Sequence, residues 1–373
     1  MGKKRRIAIL GCGGMGSGHA LAIGGKGGYT TDFLTYNAYG TGQIEITELD
    51  KKLELAGIYD IDDERMEWVK EMGWHCYKDY DDMLADPTVD IVLICVPNDI
   101  HHDLSIKAMR AGKHILCEKP VMMTSAELEN VIKVSKETGM VFYPRHNRRW
   151  DMDYLMIKKI YDEGLIGNVF NVETRYMGSR GIPGDWRAKK EFGGGMMLDW
   201  GVHLLDRILM MIPEKIKSVY CQLTHITNDE CDDGFKVLLT FESGITALVE
   251  VGTCNFLSLP FWYICGDKGT AYINDFRCEG RMMLLKEWYE EGVKPVLAGE
   301  GLTKTMAPRD DKTIEEVPLP EVVVDRNALY ANLVDTINGE AEQIVTAEEA
   351  LRVLRLMEAC FESDRLNNTV AFE

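Results

Sequence analysis

Two side chains in the middle of the chain have the types and spacing of an acid–base pair. They are Asp199 and His203 in Gly193-Gly194-Gly195-Met196-Met197-Leu198-Asp199-Trp200-Gly201-Val202-His203. Four residues apart, they share one face if the segment is helical. An imidazole titrates near neutral pH and can take the proton of a carbinol while hydride leaves its carbon. A carboxylate one turn earlier can orient that ring or hold a substrate hydroxyl. Upstream, Cys117-Glu118-Lys119-Pro120 offers a lysine whose following proline keeps it out of helical geometry and pins its backbone. An ammonium fixed in this way can polarise a hydroxyl or carbonyl oxygen and stabilise an alkoxide. Lys119, Asp199 and His203 are therefore the candidate catalytic residues, and the chemistry they suit needs a hydride carrier.

A site for that carrier is legible at the start of the chain. Ile7-Ala8-Ile9-Leu10 runs into Gly11-Cys12-Gly13-Gly14-Met15-Gly16, a strand followed by G-x-G-x-x-G. Gly11 permits the tight turn, Gly13 lets backbone approach a pyrophosphate, and Gly16 lets helix and strand pack closely. Gly14 and Met15 open the helix whose free amides face the phosphates. The second strand, Leu55-Ala56-Gly57-Ile58-Tyr59-Asp60, ends in a carboxylate that suits both ribose hydroxyls of NAD and repels the 2′-phosphate of NADP. NAD is the expected cofactor. Two further loops lie at strand ends, where an open α/β sheet binds ligands. Pro97, Asn98 and His101 come from one, Glu118 and Lys119 from the other, and all five are expected to line the cofactor.

The elements that must position these groups divide the chain in two. Short apolar runs (Arg6–Leu10, Leu53–Tyr59, Trp74–Tyr77, Ile91–Val96, His114–Cys117, Met140–Tyr143) alternate with helix-like stretches such as Asp99–Ala111 and Thr124–Thr138. The latter opens on a capping box, Thr124-x-x-Glu127. This alternation predicts an α/β fold, a doubly wound parallel Rossmann sheet over residues 1–147. Residues 148–373 read as an α+β domain for substrate. A helix-like Arg148–Glu163 leads to a period-2 strand, Val169–Met177, and to a second helix over about Met196–Met211. Strand patterns follow at Val219–Ile226, Lys236–Phe241, Thr246–Thr253 and Trp262–Ile273, and sequential strands with short turns predict a mostly antiparallel sheet. Helices over Arg326–Ile337 and Thr346–Asn367 close the chain. One segment fits poorly. Asp60 follows Gly16 by 44 residues, against roughly 20 in an ordinary dinucleotide fold. About two dozen residues within 24–50 thus read as an insertion.

Bulk properties exclude several classes. The 373 residues carry a formal net charge of −18, a field that repels nucleic-acid backbones and anionic membranes. The basic run Lys3-Lys4-Arg5-Arg6 abuts a strand and reads as a solvated chain end. The ten cysteines form no C-x-x-C pair and several sit inside apolar strands. They read as buried free thiols of a reducing cytoplasm, with no metal site.

Together these motifs resemble the Gfo/Idh/MocA family, which includes glucose–fructose oxidoreductase and inositol dehydrogenase. The resemblance rests on the glycine loop, on P-N-x-x-H at Pro97–His101, on E-K-P at Glu118–Pro120, on Gly193-Gly194-Gly195 and on D-x-x-x-H at Asp199–His203. It spans nearly the whole chain. It implies a Rossmann domain followed by a domain whose large open sheet builds homo-oligomers. It also implies a substrate cleft lined by Lys119, Asp199 and His203, with Trp186 and Arg187 as substrate contacts. The expected activity is oxidation of a ring hydroxyl of a sugar, glycoside or inositol with NAD, or the reverse reduction of the keto sugar. Relatives also include redox-neutral enzymes that cleave glycosides by transient oxidation, and non-catalytic sugar-sensing regulators would fit the same fold. The inserted segment departs from the family's common pattern.

Overall fold

The computed structural model describes residues 3–26, 43–45, 47–286, 296–304, 309, 311–325 and 327–373. Most of the expected insertion, residues 27–42 and 46, lies outside the described residues, as does Arg326. In chain order the first half contains β1 (Arg5–Leu10), α1 (Gly14–Ile23), β2 (Gln43–Glu45), β3 (Leu53–Tyr59), α2 (Asp63–Glu71), α3 (Tyr80–Ala85), β4 (Ile91–Ile94), α4 (His101–Arg110), β5 (His114–Cys117), α5 (Ser125–Thr138) and β6 (Phe142–Pro144). Five of the strands form a parallel sheet in the order β3-β1-β4-β5-β6. The expected doubly wound sheet is present.

Its strands are apolar on both sides because helices cover both faces. Ala8, Leu10, Val92, Ile94 and Ile115 join the larger hydrophobic core. Ile7, Ile9, Ile91, Leu93 and Leu116 point the other way, against α1 and residues 329–345 of the chain's far end. The capping box of α5 forms as predicted, with the Thr124 hydroxyl accepting from the amide of Glu127 and the Glu127 carboxylate accepting in return from Thr124. The run Trp74–Tyr77 is not a strand. Only Cys76 bridges to Ile58 of β3, since the segment merely brushes the sheet edge and turns away into α3.

The second half contains α6 (Met152–Asp162), β7 (Val169–Met177), α7 (Val202–Met211), β8 (Ile216–Thr224), β9 (Gly234–Phe241), β10 (Thr246–Gly252), β11 (Trp262–Gly266), β12 (Gly269–Ile273), β13 (Gly280–Leu285), β14 (Val296–Gly299), β15 (Leu302–Lys304), β16 (Ile314–Val317), β17 (Val323–Asp325), α8 (Ala328–Ile337), α9 (Ala347–Leu366) and β18 (Val370–Ala371). A nine-stranded sheet has the order β16-β13-β12-β11-β7-β10-β9-β8-β18. Its pairs are antiparallel except β7 with β10, which run parallel. Burial alternates along β10, so one face of the sheet is core and the other is not. Helices α7 and α9 pack on the core face. The stretch predicted as one helix over 196–211 is in fact two. A π-helical turn, Met197–Gly201, precedes α7.

Candidate active site

The glycine loop has the geometry of a dinucleotide cradle. Gly11 has φ +92°, and a Cβ there would lie 2.4 Å from the carbonyl oxygen of Cys95. A Cβ on Gly16 would lie 1.9 Å from the Gly11 carbonyl oxygen, so helix and loop touch only because both residues lack side chains. Gly14, by contrast, has nothing within 4 Å, and Gly13 nothing nearer than Arg65 at 3.6 Å. No side chain caps the start of α1, so its first amides remain available to a ligand. At the end of β3, Asp60 is buried and accepts from the amide of Cys12, from the amide of Asp62 at 2.9 Å and from the Arg65 guanidinium at 3.2 Å. Loop, helix N-terminus and strand-end acid thus converge at one end of the sheet, and they fit a dinucleotide.

The two flanking loops lie beside it, but three of their predicted residues, Asn98, His101 and Glu118, engage the protein itself. Pro97 begins a single helical turn, Asn98–Ile100. Asn98 donates to the carbonyl of Gly193 at 3.0 Å, tying this loop to the triple-glycine segment. The His101 ring is fully buried between the carbonyls of Val96 (3.0 Å) and Pro120 (3.1 Å), stapling one loop to the other. Glu118 is also buried, 2.8 Å from His19 and 2.8 Å from Arg145. Burial opposes its charge, but the Arg145 guanidinium and the His19 hydrogen bond carry its carboxyl down to about 2. Both residues therefore support the backbone on which Lys119 stands.

Lys119 crosses from the first sheet to the second half of the chain. Its Nζ lies 2.6 Å from Oδ1 of Asp199 and 2.7 Å from that residue's carbonyl oxygen. The other oxygen of Asp199 accepts from Arg187 at 3.1 Å, and the Arg187 guanidinium stacks 4.5 Å from the Trp186 ring. Burial opposes ionisation of Asp199, yet Lys119 and then Arg187 hold its carboxyl below the usual range. Asp199 stands inside the π turn, Met197–Gly201, that precedes α7. Of the two roles expected for Asp199, orienting the imidazole or holding a substrate hydroxyl, the first is not formed: its carboxylate serves Lys119 and Arg187, and Nδ1 of His203 has no hydrogen-bond partner. Burial, and then the charges of Lys119 and Arg148, push His203 well below the ordinary histidine value. The ring is neutral at pH 7 and able to accept a proton.

Behind the π turn stands Asp232. Its carboxylate accepts from the amide of Met197 at 2.7 Å, and its carbonyl from that of Met196 at 2.9 Å. Gly195, at φ +103°, admits that carboxylate, which would lie 2.2 Å from a Cβ. Sequence reading missed a further layer of buried charge. Arg207 of α7 is fully buried among Asp151, Asp153 and the Tyr176 hydroxyl. Arg148 pairs with Asp151 at 3.0 Å and covers the Trp200 ring at 4.5 Å. Their one visible signal was the charged run His146-Asn147-Arg148-Arg149 immediately after an apolar strand.

Comparison with known proteins bears on this geometry. Residues 5–146 match the oxidoreductase family with an NAD-binding Rossmann fold, and residues 154–272 match the Gfo/Idh/MocA C-terminal domain. A solved NAD-binding protein from Listeria innocua is 40% identical, with a TM-score of 0.83 over 99% of this chain and 97% of that one. The NADP(+)-dependent scyllo-inositol 2-dehydrogenase of Bacillus subtilis is 27% identical over 79% of this chain and 82% of its own length. The myo-inositol 2-dehydrogenase of Thermotoga maritima is 26% identical over 68% of this chain and 77% of its own. With its glycine loop, strand-end lysine and two sheets in the matching order, the chain belongs to the Gfo/Idh/MocA family of NAD-binding oxidoreductases.

Proposed function

We propose that this oxidoreductase interconverts a ring hydroxyl of a sugar, glycoside or inositol with the matching ketone. The observation that carries the reading is the approach of Lys119, from the end of β5, to within 2.6 Å of Asp199, one turn before the neutral imidazole of His203. When bound, NAD supplies the hydride acceptor. His203 is the general base for the carbinol proton, because a ring held below its ordinary pKa carries no proton of its own at pH 7. Lys119 polarises the reacting oxygen, and Asp199 with Arg187 fixes where its ammonium stands. Trp186 and Arg187 offer a flat apolar surface and hydrogen-bond donors to a polyhydroxylated ring. We further propose that the chain self-associates through the outer face of its nine-stranded sheet. The reading is supported by the inositol dehydrogenases among its relatives.

A screen of inositols, hexoses and glycosides with NAD, read as absorbance of the reduced cofactor, tests it. Lys119→Met and His203→Asn are expected to lower turnover by about 10²- to 10⁴-fold while NAD binding stays within a few-fold. Unchanged turnover in either variant overturns the assignment. Release of an aglycone without net reduced cofactor would favour redox-neutral cleavage instead.

A further inference from the structure

His19 lies on α1, one turn beyond Gly16, and its ring is fully buried. Its Nε2 stands 2.8 Å from Oε1 of Glu118, and its Nδ1 meets the Tyr330 hydroxyl of α8. The partners fix the tautomer. Glu118 is ionised and can only accept, so Nε2 carries the hydrogen and Nδ1 accepts from Tyr330. Burial, and then the charge of Arg145, lowers His19, and the ring is neutral at pH 7. Arg145 donates to the same Oε1 at 2.8 Å, whereas Oε2 accepts from the backbone amide of Lys119 at 3.2 Å.

No step of the proposed reaction uses this network, yet it surrounds the carboxylate next to the catalytic ammonium in the chain. Lys119 has two carboxylates within its influence. One is Glu118, which its charge helps to keep ionised. The other is Asp199, on which Nζ rests at 2.6 Å. A buried carboxylate oxygen without a donor draws a nearby ammonium. With His19 and Arg145 on Oε1 and the lysine's own amide on Oε2, Nζ is left to Asp199. We propose that His19, held by Tyr330, is a positioning residue for Lys119: it occupies Glu118, so that the ammonium reaches across to Asp199 and the reacting oxygen. The inference rests on the function proposed above. It gives α1 two duties, because the helix whose first amides face the cofactor carries, one turn later, the ring that sets the lysine.

His19→Leu keeps an apolar side chain of similar reach and removes the donor. On a polyol that the wild type turns over, kcat is expected to fall about 10- to 100-fold, with NAD affinity within about threefold. His19→Gln, whose amide N–H reaches about as far as Nε2, is expected to recover most of that loss. A cycle with Lys119→Met separates positioning from general support of the fold. Once the lysine is gone, His19→Leu is expected to cost less than about a further twofold. An equal fall in both backgrounds overturns the inference, and so does an unchanged kcat in His19→Leu. If His19→Leu does not fold, Tyr330→Phe takes its place in the same cycle, with an expected fall of about three- to tenfold and the same criteria. A crystal structure of the variant gives a readout independent of turnover. Nζ of Lys119 is expected to have left Asp199 for Glu118, and an ammonium still on Asp199 overturns the inference. A wild type that oxidises no polyol overturns the proposed function instead, and the crystal structure still decides where the lysine stands.

Discussion

At the carboxyl end of β3, two side chains of opposite sign stand where we propose that the ribose is read. Asp60 repels a 2′-phosphate, while the Arg65 guanidinium beside it is the group a phosphate would seek. While Asp60 is present, Arg65 is paired with it, and the preference we propose is for NAD. Asp60→Ser keeps an acceptor for the Cys12 amide but frees the guanidinium. A charge-assisted hydrogen bond is worth about 1.5–3 kcal/mol, so the ratio of kcat/KM for NADP over NAD is expected to rise by roughly 10- to 100-fold. Steady-state kinetics with both cofactors check it, and an unchanged ratio would mean Arg65 cannot reach the ribose. At the other end of the site, the depressed value of His203 predicts a pH profile. Activity falls as the base gains a proton, so the acid limb of kcat/KM should have its midpoint below 6.5, the ordinary histidine value. A midpoint at or above it would remove His203 as the base.

Elements convert those residues into a site, and here the sequence was only partly readable. The strands β1, β3 and β5, the capping box of α5 and both loops at strand ends follow from local patterns: apolar runs, punctuating glycines, a proline after lysine. The π turn before α7 does not, because its one extra residue leaves the apolar spacing of 196–211 intact. What holds it is Asp232, 35 residues further on, whose partners no spacing rule connects. Burial raises the Asp232 carboxyl to about 6, against the lowering effect of the Met197 amide. The sign follows from proton linkage. Between its ordinary 3.8 and about 6 the folded chain holds a proton that the unfolded chain has lost. This group's contribution to stability therefore rises as pH falls from above 6 to below 3.8. At about 1.36 kcal/mol per unit, its penalty at pH 8 is at most about 3 kcal/mol. Asp232→Asn, which still accepts from Met197, is expected to gain about 1–2 kcal/mol in urea unfolding at pH 8, and the gain should shrink at pH 5. A variant less stable than wild type at pH 8 would show that the hydrogen bonds of the carboxylate outweigh its burial.

Across the whole molecule, one late helix lies far from where its order suggests. Helix α8 returns to the first sheet, where Leu329, Tyr330, Leu333 and Val334 pack with Ile7, Ile9 and Leu116, and the Tyr330 hydroxyl meets the His19 ring that supports Glu118. The site is thus braced from both halves, and among the described residues no helix packs on the outer face of the nine-stranded sheet. Strand register places a single row across that face: Tyr220 opposite Leu238, Leu238 opposite Leu248, then Glu173, Tyr263, Tyr272 and Arg281. Apolar and aromatic groups flanked by paired charges compose a typical protein–protein surface, and a row on one sheet face complements itself under a twofold axis. Leu238 is 42% exposed in the single chain. Light scattering coupled to size exclusion is therefore expected to give a multiple of the chain mass. Leu238→Lys with Leu248→Lys would place like charges opposite one another and shift the protein toward monomer, while turnover per chain persists because α7 and Lys119 lie behind the other face. A wild type eluting as a monomer at micromolar concentration would sink the proposal, and so would a double variant that still assembles.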